Sequence, residues 1–130
     1  MSETHKATLT KANAAIARGD FEGFLQFCTD DTKWTFLGDR TLSGKQAVRE
    51  WMESAYRELP EFNVHRLIGE GDFLTALGEI ALKDESGRQR RYAYSDVWRF
   101  REGKLAELHA FVVEAELESG AFAERDQRTS

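Results

Sequence analysis

Asp96 is the residue best placed to do chemistry in this sequence, because aromatic side chains flank it at every second position. In residues 92–100 the even positions are Tyr92, Tyr94, Asp96, Trp98 and Phe100, and alternate residues of a strand share one face. If this face is buried, the loss of hydration disfavours the carboxylate and raises the pKa of Asp96. A protonated Asp96 would donate a hydrogen bond to a ligand oxygen. The alternatives are a bond to a neighbouring tyrosine or tryptophan, and a strand turned so that Asp96 meets water.

The histidines and the cysteine carry weaker signals. His5, His65 and His109 lack the spacing of metal ligands, and Cys28 is the single cysteine, so we expect neither a metal nor another cofactor. His109 is either a catalytic base or a residue at the edge of a sheet contact. We expect His65 to be solvated. Glu79 is either a second carboxylate of a pocket or, as we expect, a residue that faces outward from a sheet.

Two helices are predicted in the first part of the chain. Leu9, Ala12 and Ile16 recur at helical spacing within residues 3–18, and Gly19 supplies a stop. Asp20 then caps a shorter helix that includes Cys28 and ends at residues 29–31. We therefore expect the two helices to share one tight joint.

A short strand and a third helix follow. Residues 33–37 are mostly aromatic or β-branched, which predicts a strand. Ser43 and Gln46 match a capping box, and the hydrophobic spacing behind them predicts a helix that ends before Pro60. We expect this helix to be well formed.

The second half of the chain is predicted to be a meander of strands. After Pro60 the hydrophobic spacing changes to alternation over residues 61–70, 73–83, 88–101 and 104–116. Helices followed by antiparallel strands indicate an α+β fold, in which the helices cover one face of a strongly bent sheet. Residues 119–130 are polar and are predicted to be a frayed tail.

Length and charge limit the classes of function. A chain of 130 residues is one domain, and a net charge of −5 disfavours nucleic acids and anionic membrane surfaces as partners. No apolar run approaches the ~20 residues of a membrane span, and no basic start precedes one as in a signal peptide. We therefore expect a cytoplasmic protein that binds neither nucleic acid nor membrane.

Four stretches together resemble a known superfamily. They are GDFEG at 19–23, TDD at 29–31, SGKQAVREW at 43–51 and SDVWRFREGK at 95–104. They resemble the nuclear transport factor two-like superfamily, and within it ketosteroid isomerase and the SnoaL-like polyketide cyclases. The resemblance runs from about residue 9 to residue 113. It implies a single domain over residues 1–118 with a cone-shaped fold, a cystatin-like α+β roll in which three N-terminal helices pack against a curved antiparallel sheet around a deep apolar pocket.

We expect side chains from the first strand, the third helix and the last three strands to line this pocket around Asp96. They are Thr35, Trp51, Met52, Ile80, Tyr94, Trp98, Leu108 and Ala110.

The other face of the last strand predicts an assembly. The resemblance places Leu108 and Ala110 inside, so that His109, Phe111 and Val113 are left outside. With Ala93 and Val97 of the preceding strand they would form an exposed apolar patch. Such patches usually mark interfaces, so we predict a homodimer in which the two sheets pack face to face.

The residues of ketosteroid isomerase transfer to this chain only in part. Its oxyanion-hole aspartate falls on Asp96, its tyrosine on Ala12 and its general base on Thr35. Neither Ala12 nor Thr35 can perform those roles, so ketosteroid isomerase activity is expected at background. The epoxide hydrolase variant of the fold needs an Asp-Arg-Asp set in the pocket. Arg99 is an odd number of residues from Asp96, so the two side chains are expected on opposite faces of the strand.

Two functions remain open from the sequence. The first is a cofactor-independent isomerase, cyclase or dehydratase, in which Asp96 assists acid–base chemistry on a small hydrophobic molecule that carries an oxygen. The alternative is a non-catalytic dimer that binds such a molecule. A second ionisable group within reach of Asp96 would favour the enzyme, whereas a cavity lined only by tryptophan, phenylalanine, leucine and methionine would favour binding.

Overall fold

The computed structural model describes residues 2–114, so the predicted tail at 119–130 lies outside the described residues. The elements in chain order are α1 (Ser2–Ala17), α2 (Phe21–Leu25), β1 (Cys28–Phe36), β2 (Arg40–Ser43), α3 (Lys45–Ala55), β3 (Glu61–Glu70), β4 (Phe73–Lys83), β5 (Gln89–Arg101) and β6 (Lys104–Glu114). Among these helices, none is both long and apolar enough to cross a membrane.

The described strands form one mixed sheet in the order β2-β1-β6-β5-β4-β3. All neighbours are antiparallel except β1 and β6, which run parallel. A bulge between Val64 and Arg66 interrupts the register of β3 against β4, and such bulges bend a strand. The structure confirms the predicted α+β class and the meander from β3 to β6.

The joint between α1 and α2 follows the predicted capping. Asp20 is the N-cap of α2, and its carboxylate accepts a hydrogen bond of 2.9 Å from the backbone N–H of Gly23. The prediction that this helix includes Cys28 is wrong, because β1 begins there. Pairing with β6 overrides the local pattern: the backbone N–H of Leu105 donates to the carbonyl of Phe27, and the hydroxyl of Thr32 donates to the carbonyl of Leu105.

The start of α3 also differs from the prediction. Ser43 belongs to β2 and pairs with Lys33, so the N-cap is Gly44, which makes no side-chain cap bond. Gly44 has a φ of 90°, a conformation that side-chain-bearing residues adopt at a cost. Gln46 bonds to side chains of its own helix rather than to the cap. The short strand β2 therefore takes the residue that the pattern had assigned to a capping box.

The core lies between the helices and the inner face of the sheet, which is the face that carries Trp34 and Trp98. Phe24 of α2 is buried against both tryptophans, with ring centroids 5.7 Å and 6.4 Å away. Leu9 of α1 and Leu74 of β4 are also buried there. This packing closes one end of the space between the helices and the sheet.

Candidate functional site

A cavity of about 390 Å³ lies between the helices and the inner face of the sheet. Its closed end is formed by the buried side chains of Phe24, Trp34 and Trp98. At its other end are the exposed residues Asp39 and Glu114, and we call this end the mouth. Its volume is in the range of small-molecule sites.

Strand β5 places Asp96 on the wall of the cavity. Its neighbours across the sheet are Ala76 of β4 and Ala110 of β6, which also line the cavity. Because both neighbours are small, the space in front of the carboxyl group stays open. The side chain is partly accessible through the cavity, although protein atoms surround it on its other sides.

The carboxyl of Asp96 has no partner among the described residues. None of the hydrogen bonds or ion pairs within residues 2–114 reaches it. Burial raises the pKa of Asp96 from 3.8 to about 7, because a buried carboxylate loses its hydration. Near neutral pH the group is therefore present in both its acid and its base form.

Two of the three tyrosines that line the cavity, Tyr56 and Tyr94, interact electrostatically with Asp96. Burial raises the pKa of the Tyr94 hydroxyl above its usual value, and the charge of Asp96 raises it further. Burial followed by the charge of Asp96 has the same effect on the pKa of Tyr56, which stands at the end of α3. Both hydroxyls therefore stay protonated and can donate hydrogen bonds. A further ionisable group near Asp96 was the feature expected from the sequence to favour an enzyme, and these two hydroxyls are such groups.

Gly78 makes room for Tyr94. The two residues pair across β4 and β5. A β-carbon at position 78 would lie 2.7 Å from the hydroxyl oxygen of Tyr94 and 2.4 Å from the carbonyl oxygen of Asn63. Since both contacts are shorter than atoms tolerate, glycine is what allows the Tyr94 ring to extend over β4.

Aromatic rings from α3, β1 and β5 line the cavity. Trp51 of α3 lies between Phe36 and Tyr56, with ring centroids 4.9 Å and 5.2 Å away. Trp34 packs edge-on against Trp98 with centroids 5.5 Å apart. Rings at these distances stabilise one another and offer faces and edges to a flat ligand.

Most of the predicted pocket residues lie together around this cavity. Besides Asp96 they are Trp51, Ile80, Tyr94, Trp98, Leu108 and Ala110. Thr35 and Met52 are not among the lining residues, so their assignment is corrected. Thr35 alternates with Trp34 and Phe36 and therefore faces the other side of the sheet. Met52 is fully buried in the core with Val48, one turn away on the same helix.

Some polar residues at the cavity were not predicted from the sequence. Asn13 of α1 lines it, and the signal was a polar residue within the apolar spacing of Leu9 and Ile16. Asp39 and Glu114 at the mouth followed no pattern, because a turn and a strand end place them there.

The outer face of the sheet carries the other candidates. His109 is exposed there, opposite Val97, and does not line the cavity. Glu79 faces outward but is 7% exposed, and one of its carboxylate oxygens lies 3.4 Å from Nε2 of His65. The expectation that His65 is solvated is wrong, since its side chain is 8% exposed.

No metal site is found within residues 2–114. These residues contain no group of three or more His, Cys, Asp or Glu side chains that could hold an ion. Cys28 is buried, and burial raises the pKa of its thiol to about 12. The thiolate, which is the nucleophilic form, is therefore not populated near neutral pH.

Comparison with solved structures identifies the fold. An NTF2-like protein of unknown function from Burkholderia pseudomallei is 20% identical, with a TM-score of 0.76 over 85% of this chain and 91% of that chain. AclR, a putative hydroxylase from Streptomyces galilaeus, is 17% identical, with a TM-score of 0.71 over 86% and 80%. SalBIII, described as an epoxide hydrolase/cyclase-like enzyme in pyran ring formation, is 16% identical, with a TM-score of 0.79 over 85% and 92%.

Comparison of the sequence with protein families gives a match over most of the chain. A search of curated proteins yields no significant match. The family model of the SnoaL-like domain matches residues 9–108, which include most of the elements that build the cavity. The chain belongs to the SnoaL-like domain family and has the NTF2-like fold.

Proposed function

We propose that the protein binds a small hydrophobic molecule with an oxygen atom in this cavity and that Asp96 exchanges a proton with it. The reaction would be an isomerisation, cyclisation or dehydration that needs no cofactor. The observation that carries the proposal is the carboxyl of Asp96, which faces an aromatic cavity without a partner among the described residues. The resemblance in fold to the cyclase-like enzyme SalBIII supports the reaction class.

The state of Asp96 suits acid–base work. An acid–base catalyst is most effective when its pKa lies near the working pH, and burial raises the pKa of Asp96 to about 7. Asp96 would accept a proton from one position of the ligand and return it to another. The hydroxyls of Tyr56 and Tyr94 would donate hydrogen bonds to the oxygen as negative charge develops on it.

The positions of Ala12 and Thr35 argue against the route used by ketosteroid isomerase. Ala12 is fully buried and carries no donor, and Thr35 faces away from the cavity. We therefore expect ketosteroid isomerase turnover at background in a standard absorbance assay. Turnover that survives careful purification would contradict this expectation.

Hydrogen exchange from a model ketone tests the proposal. β-Tetralone has an aromatic ring, a carbonyl oxygen and acidic C–H bonds beside it. Incubation in D₂O with the protein should speed deuterium incorporation, measured by mass spectrometry. Asp96→Asn should lower this rate by about 100-fold. The matched control is Asp30→Asn, the same change at a fully exposed aspartate, which should keep the wild-type rate.

Calorimetry of β-tetralone binding separates the two functions left open by the sequence. Binding with exchange that depends on Asp96 supports the enzyme. Binding without any exchange would support the non-catalytic module and overturn the proton transfer. If the ketone does not bind at all, the proposed ligand class is wrong.

A further inference from the structure

The cavity contains no cationic side chain among its described lining residues. Lysine, arginine and histidine are all missing from the lining. Titratable groups line the cavity from three directions: Tyr92 and Tyr94 of β5, Tyr56 at the end of α3, and Asp39 and Glu114 at the mouth. The lining residues from α1, α2, β3 and β4 do not titrate. Every charge that the described lining residues can develop is therefore negative.

The arginines nearest the mouth are already engaged. Arg40 lies 3.4 Å from the carboxylate of Asp39. Arg90 donates to Glu114 at 2.6 Å and to Asp84 at 2.9 Å. An anionic ligand would pass the carboxylates of Asp39 and Glu114 on entering, and these carboxylates already offset the charge of the two arginines.

The position of Asp96 gives the depth of the cavity below the mouth. Asp96 lies four residues along β5 from Tyr92, which pairs with Glu114 at the mouth. At about 3.3 Å per residue, this separation is about 13 Å. A ligand that fills the cavity from Asp96 to the mouth is therefore an extended molecule, and the rings of Trp51 and Trp98 offer it flat faces.

We propose that the cavity selects its ligand by charge: it takes uncharged, oxygen-bearing molecules and rejects carboxylates of the same shape. This inference deepens the proposed function and rests on it. A carboxylate that enters loses its hydration and finds no cation among the described lining residues. When Asp96 is ionised, repulsion between like charges is added. The neutral ligand suffers neither penalty, so the preference for it should increase as Asp96 loses its proton.

Two probes of the same shape test the inference. Naphthamide is uncharged, whereas naphthoate is ionised at both pH 5.5 and pH 8.5. At pH 8.5 we expect calorimetry to show naphthamide binding at least about 30-fold more tightly. At pH 5.5 this ratio should fall by about tenfold, because burial raises the pKa of Asp96 to about 7 and the acid form no longer repels the carboxylate.

Two variants test whether Asp96 causes the pH dependence of the affinity ratio. In Asp96→Asn the ratio should be the same at both pH values, whereas in Asp30→Asn it should change as in the wild type. A third probe, naphthylmethylammonium, tests the opposite charge. If it binds more tightly than naphthamide, the uncharged class is wrong.

The outcomes separate this inference from the proposed function. If naphthoate binds as tightly as naphthamide, the charge selection is overturned while the cavity remains a binding site. If the ratio does not depend on pH, the part assigned to Asp96 is overturned. If no probe binds and β-tetralone shows no exchange, the proposed function fails and this inference fails with it.

Discussion

The two faces of the sheet treat their ionisable groups in opposite ways. On the outer face Arg99 lies 3.6 Å from Glu107 and over the ring of Phe73, and His65 lies beside Glu79. On the inner face Asp96 has no partner among the described residues. The outer groups lie within ion-pair distance of one another, whereas the carboxyl of Asp96 is left for a molecule that enters the cavity. Whether an ionisable group has a partner therefore distinguishes a surface network from a candidate site better than its charge alone does.

A second aspartate on the same hairpin shows the contrast within one residue type. Asp84, in the turn between β4 and β5, accepts hydrogen bonds from Ser86, Arg88 and Arg90. The bonds from Ser86 and Arg90 hold the pKa of Asp84 well below its usual value. Burial without such donors moves the pKa of Asp96 in the opposite direction. The environment therefore decides which aspartate can give up a proton near neutral pH.

The largest expected effect lies on the outer face. Phe111 and Val113 are 49% and 64% exposed, and the sequence predicts a homodimer that covers them. Phe111→Glu should place two charges opposite each other in that interface, convert the dimer to monomer and lower its stability by about 3 kcal/mol. Sedimentation velocity at micromolar concentration measures the change, and Phe111→Leu is the control that keeps the surface apolar. A wild-type species of about 15 kDa would refute the dimer.

On the inner face, Asp96→Asn is expected to have a smaller effect, which is a change in the free energy of unfolding. The native carboxyl stays protonated up to pH ~7, whereas the unfolded chain loses this proton near pH 4. The wild type therefore loses stability as the pH rises between these values. The raised pKa corresponds to at most about 4 kcal/mol, and contact with solvent in the cavity reduces it to about 2 kcal/mol.

Urea denaturation at pH 4 and pH 8.5 measures this difference. Asp96→Asn should be more stable than the wild type by about 2 kcal/mol at pH 8.5 and equal to it at pH 4. Asp30→Asn is again the control and should follow the wild type at both pH values. Equal stabilities of Asp96→Asn and wild type at pH 8.5 would mean that the carboxyl is solvated.

The smallest effect is expected from removing one hydroxyl from the inner face. The Tyr94 hydroxyl has no hydrogen-bond partner among the described residues, so Tyr94→Phe should leave the free energy of unfolding unchanged. Binding of naphthamide should weaken by about fivefold, the value of one hydrogen bond. Calorimetry with Tyr92→Phe as the matched variant tests this, because Tyr92 stands nearer the mouth. An equal loss in both variants would argue against a specific role for Tyr94.

The sequence predicted the strands of the second half well. The predicted limits 61–70 and 73–83 coincide with β3 and β4, because alternation and glycine turns are local signals. The short strand β2 and the start of β1 at Cys28 were not predicted, since both depend on partners distant in the sequence.

The candidate site was predictable where it depends only on the alternation of side chains along one strand. Asp96, Tyr94 and Trp98 share a face because they alternate along β5. Thr35 was misplaced because its assignment came from an alignment rather than from the parity of β1. Asn13 was missed because a single polar residue within a helix spacing does not show whether it faces a cavity or water.

The parallel pairing of β1 with β6 has a consequence for the order of folding. The hydrogen bond from Thr32 to Leu105 joins residues 73 positions apart. The hairpins from β3 to β6 close short loops, whereas this contact closes a long one and should form late. Until β1 arrives with Trp34, the wall beside β6 is open to water. We therefore expect Asp96 to acquire its raised pKa only once β1 has paired with β6.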